Sequence, residues 1–102
     1  MKNLTNEILT KAAKAVEERT NELNKNDKYN YKSSFNANIK NQDSIRYIDV
    51  ELKEERIVGE FIRTDTIIIA FNEEGDALSV DGSFSLLHLQ WFIEAVQKEM
   101  KE

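Results

Sequence analysis

Three carboxylates in the middle of the chain, Asp49, Glu51 and Glu60, are the first candidates for chemistry. We expect Glu54-Glu55 to form a tight turn between two strands, which would place Asp49 directly across from Glu60. A close pair of carboxylates could serve a small hydrolase as general acid and base. We expect no orienting His or Cys beside them, so we favour a solvated acidic face. An acidic surface that imitates nucleic-acid phosphates is the alternative.

Leu87 and Trp91 are four residues apart in a predicted helix and are therefore neighbours on its surface. They lie off the main apolar stripe of that helix. Either they pack under the first helix, or they form an exposed patch of the kind that anchors protein interfaces. In the second case, the substitution Trp91→Ala should abolish partner capture and leave the fold intact.

The first predicted strand carries aromatic and basic residues that could bind single-stranded nucleic acid. Tyr29, Tyr31 and Phe35 could stack on bases, while Lys32 could approach phosphates. Alternation, however, places the aromatic rings on the apolar face of the strand and Lys32 on the opposite face. Because the chain is also acidic, we do not expect nucleic acid to be its partner.

Composition removes most other chemistry. The chain has no Cys and a single His, His88, so thiolate metal sites, cysteine nucleophiles and histidine clusters are excluded. The acidic segment 73–76 does not have the spacing of a calcium loop. There is no phosphate-binding glycine motif and no serine in a nucleophile turn. We therefore expect no enzyme activity, no metal and no cofactor.

The elements that must position these residues belong to one small domain covering residues 1–102. The net charge is −5 and 40% of the residues are hydrophobic, enough for one core. Residues 1–48 contain nine basic and six acidic residues, against five and thirteen in residues 49–102. No segment suggests a membrane span or a signal peptide, so we expect a cytoplasmic protein. Ten Asn, ten Lys and no Pro suit a bacterial phage or mobile element.

Helical spacing predicts a helix at each end of the chain. The first covers residues 6–25, with Thr5 as its N-cap and Leu4 before the cap. The second covers residues 86–101, with Ser85 as its N-cap. Its apolar residues recur three and four apart, which is typical of a helix that buries one face.

Between the helices, apolar and polar residues alternate with the period of β-strands. We predict five antiparallel strands, at residues 29–40, 45–53, 56–63, 67–71 and 77–80. Residues 41–44, 64–66 and 73–75 are predicted as turns, with Gly75 in the left-handed region. In the central hairpin, Leu52 should face Ile57, Val50 should face Gly59, and Ile48 should face Phe61.

The predicted class is therefore α+β: an N-terminal helix, a four- to five-stranded antiparallel β-meander, and a C-terminal helix packed on the sheet. Residues 67–71 are apolar on both faces, so both faces should be covered. Either one helix lies on each face, or both helices share one face and a second subunit covers the other. We favour the second arrangement, a homodimer.

From these observations we predict that the chain is a non-enzymatic protein-binding module, such as a small acidic inhibitor or adaptor. The partner-binding candidates are Leu87, Trp91, Asp49, Glu51 and Glu60. A single-stranded nucleic-acid binder and a small hydrolase are the alternatives.

Overall fold

A computed structural model describes residues 3–25, 31–44 and 47–101. The elements follow the order α1 (Asn6–Asn24), β1 (Lys32–Ser44), β2 (Tyr47–Val58), β3 (Phe61–Phe71), β4 (Ala77–Asp81) and α2 (Leu86–Lys101). The strands form one antiparallel sheet in the order β1-β2-β3-β4. This confirms the predicted α+β class, with four strands in the described part of the chain instead of five.

Both helices begin at the predicted caps. The Ile8 N–H donates to Thr5 Oγ1 (3.3 Å), and the His88 N–H donates to Ser85 Oγ (3.4 Å). These hydroxyls satisfy amides that a helix N-terminus leaves without an intrahelical partner. The core face of α1 is rich in alanine, which lets the helix approach its neighbours closely. Its buried residues are Ile8, Leu9, Ala12, Ala13, Val16 and Thr20.

The predicted register of the central hairpin is wrong. β2 runs without interruption through Glu54 and Glu55, and the chain turns at Gly59 and Glu60 instead. The observed pairs are Ile48↔Phe71, Val50↔Ile69 and Leu52↔Ile67. The predicted turn at residues 64–66 is also wrong, because β3 continues through it. The predicted third strand, residues 56–63, is divided by the turn: residues 56–58 end β2, and residues 61–63 join the predicted fourth strand in β3.

Backbone conformation explains where the hairpin turns. Gly59 has φ +62°, a left-handed conformation that glycine adopts without the steric cost of a side chain. Val58 pairs with Phe61, so Gly59 and Glu60 form a two-residue loop, which favours left-handed residues. Two glutamates are poor residues for such a loop.

Of the other two predicted turns, the one at residues 41–44 is wrong and the one at residues 73–75 is confirmed. β1 extends to Ser44, so the predicted turn at residues 41–44 is wrong; Ile45 and Arg46 lie outside the described residues. The turn between β3 and β4 is confirmed, with Gly75 at φ +86°. There, Asn72 Oδ1 accepts hydrogen bonds from the amides of Glu74 (3.0 Å) and Asp76 (2.9 Å).

Both helices lie on the same face of the sheet. The Phe92 ring of α2 meets the Phe71 ring of β3 edge-on at 6.3 Å between centroids, and His88 meets Phe35 of β1 at 5.3 Å. The residues on this face of β2 and β3 are buried; the main ones are Ile48, Val50, Leu52, Ile67, Ile69 and Phe71. No described element covers the opposite face, which we call the open face. The two helices therefore cover one side of residues 67–71, and the expected cover on the other side is absent from the described part of the chain.

Polar side chains of α1 hydrogen-bond the outer edge of β1. The Ser33 N–H donates to Asn21 Oδ1 and Asn21 Nδ2 donates to the Ser33 carbonyl, both at 2.9 Å. The Phe35 N–H donates to Glu17 Oε1 (3.0 Å), and the Ile39 N–H donates to Asn6 Oδ1 (2.8 Å). An unpaired strand edge invites pairing with other chains, so α1 protects this edge of the sheet.

Candidate protein-binding surface

The β2–β3 hairpin ends in four apolar residues, Ile57, Val58, Phe61 and Ile62, which we call the hairpin end. Phe61 is 81% exposed and Ile62 is 66% exposed. Ile57 lies directly across from Ile62 on the open face, whereas Val58 and Phe61 pair on the helix face. Exposed apolar side chains grouped in this way are typical of surfaces that bind another protein.

The open face continues from the hairpin end as two unlike columns of side chains. The β3 column is uncharged and the neighbouring β2 column is mostly charged. The β3 column is Ile62, Thr64, Thr66, Ile68 and Ala70, and the β2 column is Asp49, Glu51, Lys53, Glu55 and Ile57. Lys40 Nζ lies 3.4 Å from Glu51 Oε2, and Lys53 Nζ lies 3.8 Å from Glu55 Oε1. These lysines partly neutralise the acidic column, so the surface resembles a polynucleotide backbone poorly.

The structure separates the predicted carboxylate pair. Asp49 lies opposite Ala70, near the far end of β2 from the turn that contains Glu60. The strand between them spans roughly 30 Å at about 3.3 Å per residue. Asp49 and Glu60 therefore cannot act together as acid and base, and the geometric basis for the hydrolase is lost. Glu51 lies on the same face as Asp49, next to Ile68.

Trp91 and Leu87 have different environments. Trp91 is only 8% exposed, with the guanidinium carbon of Arg19 4.0 Å from its ring centroid. It lines a groove of about 200 Å³ between α1 and α2. Leu87 is 50% exposed. The two residues do not form an exposed patch together, because Trp91 packs under α1, the other arrangement that the sequence allows.

The aromatic residues of the nucleic-acid hypothesis are also dispersed. Phe35 is buried in the core, where it cannot stack on a base. Tyr31 is half-buried, with the Arg56 guanidinium carbon 5.7 Å from its ring centroid. Lys32 is exposed. Tyr29 lies outside the described residues.

A polar cluster around a buried glutamate was not anticipated from the sequence. Glu54 is 2% exposed and lies on the helix face of β2. Its Oε1 is 3.6 Å from His88 Nδ1 of α2, and its Oε2 is 3.5 Å from an Arg56 guanidinium nitrogen. Neither Glu54 Oε2 nor His88 Nδ1 has a hydrogen-bond partner among the described residues. The carboxylate thus lies against one arginine and one imidazole at distances slightly longer than hydrogen bonds.

The cluster forms one wall of a cleft of about 290 Å³ between the hairpin and the start of α2. A carboxylate beside an imidazole can orient the ring. The spacing in the sequence could have indicated this contact. Strand alternation places Glu54 on the same face as Val50 and Leu52, and helical spacing places His88 on the same face as Phe92. Because Glu54 is predicted to lie in a turn, and turn residues are usually exposed, its burial was not expected.

Three further findings concern the described residues only. They contain no group of three or more His, Asp or Glu side chains placed to hold a metal ion. Glu73 and Glu74 are exposed in the β3–β4 turn. Neither described helix has the length and apolar character needed to cross a membrane.

Among the described residues, Phe61 of the hairpin end is the most exposed large hydrophobic side chain, and the hairpin end is bordered on the open face by the charged column of β2. Comparison of the chain with protein-family models, curated proteins and solved structures found no match. The functional assignment consequently depends on the geometry of this chain's own residues.

Proposed function

We propose that the chain is a non-enzymatic protein-binding module, a small inhibitor or adaptor that contacts its partner through the open face at the hairpin end. The observation that carries this proposal is the exposed cross-strand pair Ile57 and Ile62, which are 41% and 66% exposed. Burying such a side chain contributes roughly 1.5–3 kcal/mol, so the pair can anchor a specific complex.

Charge defines the kind of partner. The column that continues from Ile57 contains three carboxylates, on Glu55, Glu51 and Asp49, against one lysine, Lys53, and the whole chain has a net charge of −5. A protein with an apolar pocket flanked by basic side chains would complement this surface. Complementary charge mainly accelerates association, so the association rate should fall as salt rises.

Site-specific photo-crosslinking tests the proposal. A photoreactive amino acid replaces Ile62 in one bait and exposed Glu18 of α1 in a matched control bait. We expect one defined foreign protein to be crosslinked through position 62 and not through position 18. The crosslinked protein is then purified, and its affinity is measured by calorimetry for the natural chain and for the Ile57→Ser/Ile62→Ser variant.

Removing both isoleucines should weaken that affinity at least about tenfold, which corresponds to 1.4 kcal/mol. Unchanged affinity in the folded variant, or equal crosslinking from both positions, would refute the proposal.

A further inference from the structure

The two edges of the sheet differ in protection. Side chains of α1 hydrogen-bond the β1 edge, whereas β4 is the last strand on the other side among the described residues. β4 is exposed from Leu78 to Asp81, and no described element covers its outer side. An uncovered edge strand invites pairing with another strand.

The hairpin register determines which backbone groups β4 presents outward. From the two-residue loop onward, hydrogen-bonded pairs of β2 with β3 alternate without a shift, so the N–H and C=O groups of Ile68 and Ala70 point away from β2. Their partners in β4 are Asp81 and Ser79, respectively. The N–H and C=O groups of Val80, which lies between these two partners, therefore point away from β3.

An apolar surface borders the β4 edge on the helix face. Val80 lies beside Ile69 on that face, and Val80 and Leu78 are both close to half exposed. On α2, Trp91 faces α1, and apolar residues recur at helical spacing on the opposite side of the helix. These residues are Leu86, which is largely exposed, and Leu89, Ile93 and Met100, which are partly exposed.

The apolar side of α2 lies next to β4. A Cβ on Gly75, in the β3–β4 turn, would lie 2.7 Å from Met100 Cγ. None of the residues named on this surface is charged, although 32% of the residues in the chain are charged. A depletion of charged residues is typical of the centre of a protein interface.

We propose that the β4 edge pairs with the β4 edge of a second copy of the chain, so that two sheets join into one across a two-fold axis. Val80 lies opposite Val80 of the second copy, and their N–H and C=O groups exchange two hydrogen bonds. The apolar sides of the two α2 helices then pack against each other above β4. Because β4 is short, the hydrogen bonds set the register and burial of the apolar surface provides most of the stability.

The side chains suit a second copy in this register. With Val80 at the centre, Ser79 lies opposite Asp81 of the second copy on the open face, where a hydroxyl can donate to a carboxylate. Centring the pairing on Ser79 or Asp81 would instead require backbone groups that already face β3. Gly82 lies against Thr66 of its own β3, so the chain leaves the outer side of β4 clear beyond Asp81.

This inference is independent of the proposed function. β4 pairs with β3 only from Ile68 to Phe71, so Ile57 and Ile62 at the hairpin end remain on the open face, where a foreign protein can reach them. The contact is isologous and closed, which leads to a dimer and not to a fibre. It differs from the homodimer expected from the sequence, because the open face stays uncovered.

Sedimentation equilibrium over micromolar to submillimolar concentrations tests the inference. We expect the natural chain to approach about twice its 11.9 kDa mass. Val80→Lys places two like charges opposite each other and should weaken dimerisation at least about tenfold. Leu87→Lys is the matched control, because Leu87 is similarly exposed but lies off the apolar side of α2, and it should leave dimerisation unchanged.

Two substitutions of Ser79 test the register. Ser79→Asp creates two like-charged pairs with Asp81 and should weaken dimerisation at least about tenfold, whereas Ser79→Lys creates two pairs of opposite charge and should strengthen it. Amide hydrogen exchange followed by NMR gives a second readout. The Val80 amide should be protected in the natural dimer and should exchange rapidly in the Ser79→Asp variant, where it faces water.

Circular dichroism checks that each variant is folded. A natural chain that stays near 11.9 kDa, or a Val80 amide that is unprotected in the dimer, would overturn the inference. So would a folded Val80→Lys variant that dimerises like the natural chain, or equal dimerisation of the two Ser79 variants. Crosslinking of a foreign protein through position 62 would be unaffected by these results.

Discussion

Trp91 is held between charged and aromatic neighbours. The Arg19 guanidinium lies over one part of its ring, and the His88 ring lies 5.8 Å away, tilted by 46°. A cation placed over an indole ring contributes about 0.5–1 kcal/mol at an exposed site. The larger contribution comes from the buried ring itself, which fills space between α1 and α2.

Trp91→Ala should therefore destabilise the fold by about 3–5 kcal/mol, because it removes a large buried side chain and leaves a cavity. Leu87→Ala is the matched control in the same helix, and with half of that side chain in solvent we expect a loss of about 1 kcal/mol or less. Urea unfolding measures both free energies. Equal effects of the two substitutions would contradict the placement of Trp91 under α1.

At the scale of elements, Asn21 shows how a helix can complete a sheet. It donates one hydrogen bond to Ser33 and accepts another from it, at a strand edge that has no neighbouring strand. Its side-chain amide thus takes the place of a backbone partner on both groups.

Asn21→Ala should lower the free energy of unfolding by about 1–3 kcal/mol, the cost of leaving partly buried backbone groups without partners. Exposed Glu22→Ala, one residue further along α1, is the control and should change it by about 0.5 kcal/mol or less. Urea unfolding gives both values. Light scattering on warming should also show earlier aggregation for Asn21→Ala than for Glu22→Ala, because the β1 edge becomes available. An Asn21→Ala variant as stable as the control would show that these hydrogen bonds contribute nothing.

The helices were predictable because their signals are local. Thr5 and Ser85 each cap a helix within three residues, and apolar spacing then marks the buried face. The hairpin was not predictable from alternation alone. Val50 keeps the same face whether it pairs with Gly59 or with Ile69, because both registers preserve the alternation.

Long-range partners decide between those registers. Glu54 can lie in the core phase of β2 because Arg56 pairs with it and His88 lies against it, and His88 comes from an element more than thirty residues away. The candidate site depended on the same choice. With the turn at Gly59, Phe61 and Ile62 lie at the end of the hairpin and are exposed, whereas the predicted register places Phe61 opposite Ile48 in the middle of the sheet.

At the scale of the whole molecule, charge and burial together argue against nucleic-acid binding. The net charge of −5 repels phosphates, and Phe35 is closed inside the core. We expect a fluorescently labelled single-stranded oligonucleotide to show no change in anisotropy with the chain at about 50 mM salt, where phosphate contacts are strong. A known single-strand-binding protein serves as the positive control. Saturable binding that weakens as salt rises would contradict this expectation.

The shared face of the two helices has a consequence for synthesis of the chain. α2 follows the sheet in sequence, so ribosomes complete β1 to β4 before α2 emerges. During that interval, α1 alone covers the face that contains Ile67, Ile69 and Phe71. Until α2 has emerged from the ribosome, the nascent chain therefore exposes apolar surface. Such surface favours chaperone binding and aggregation.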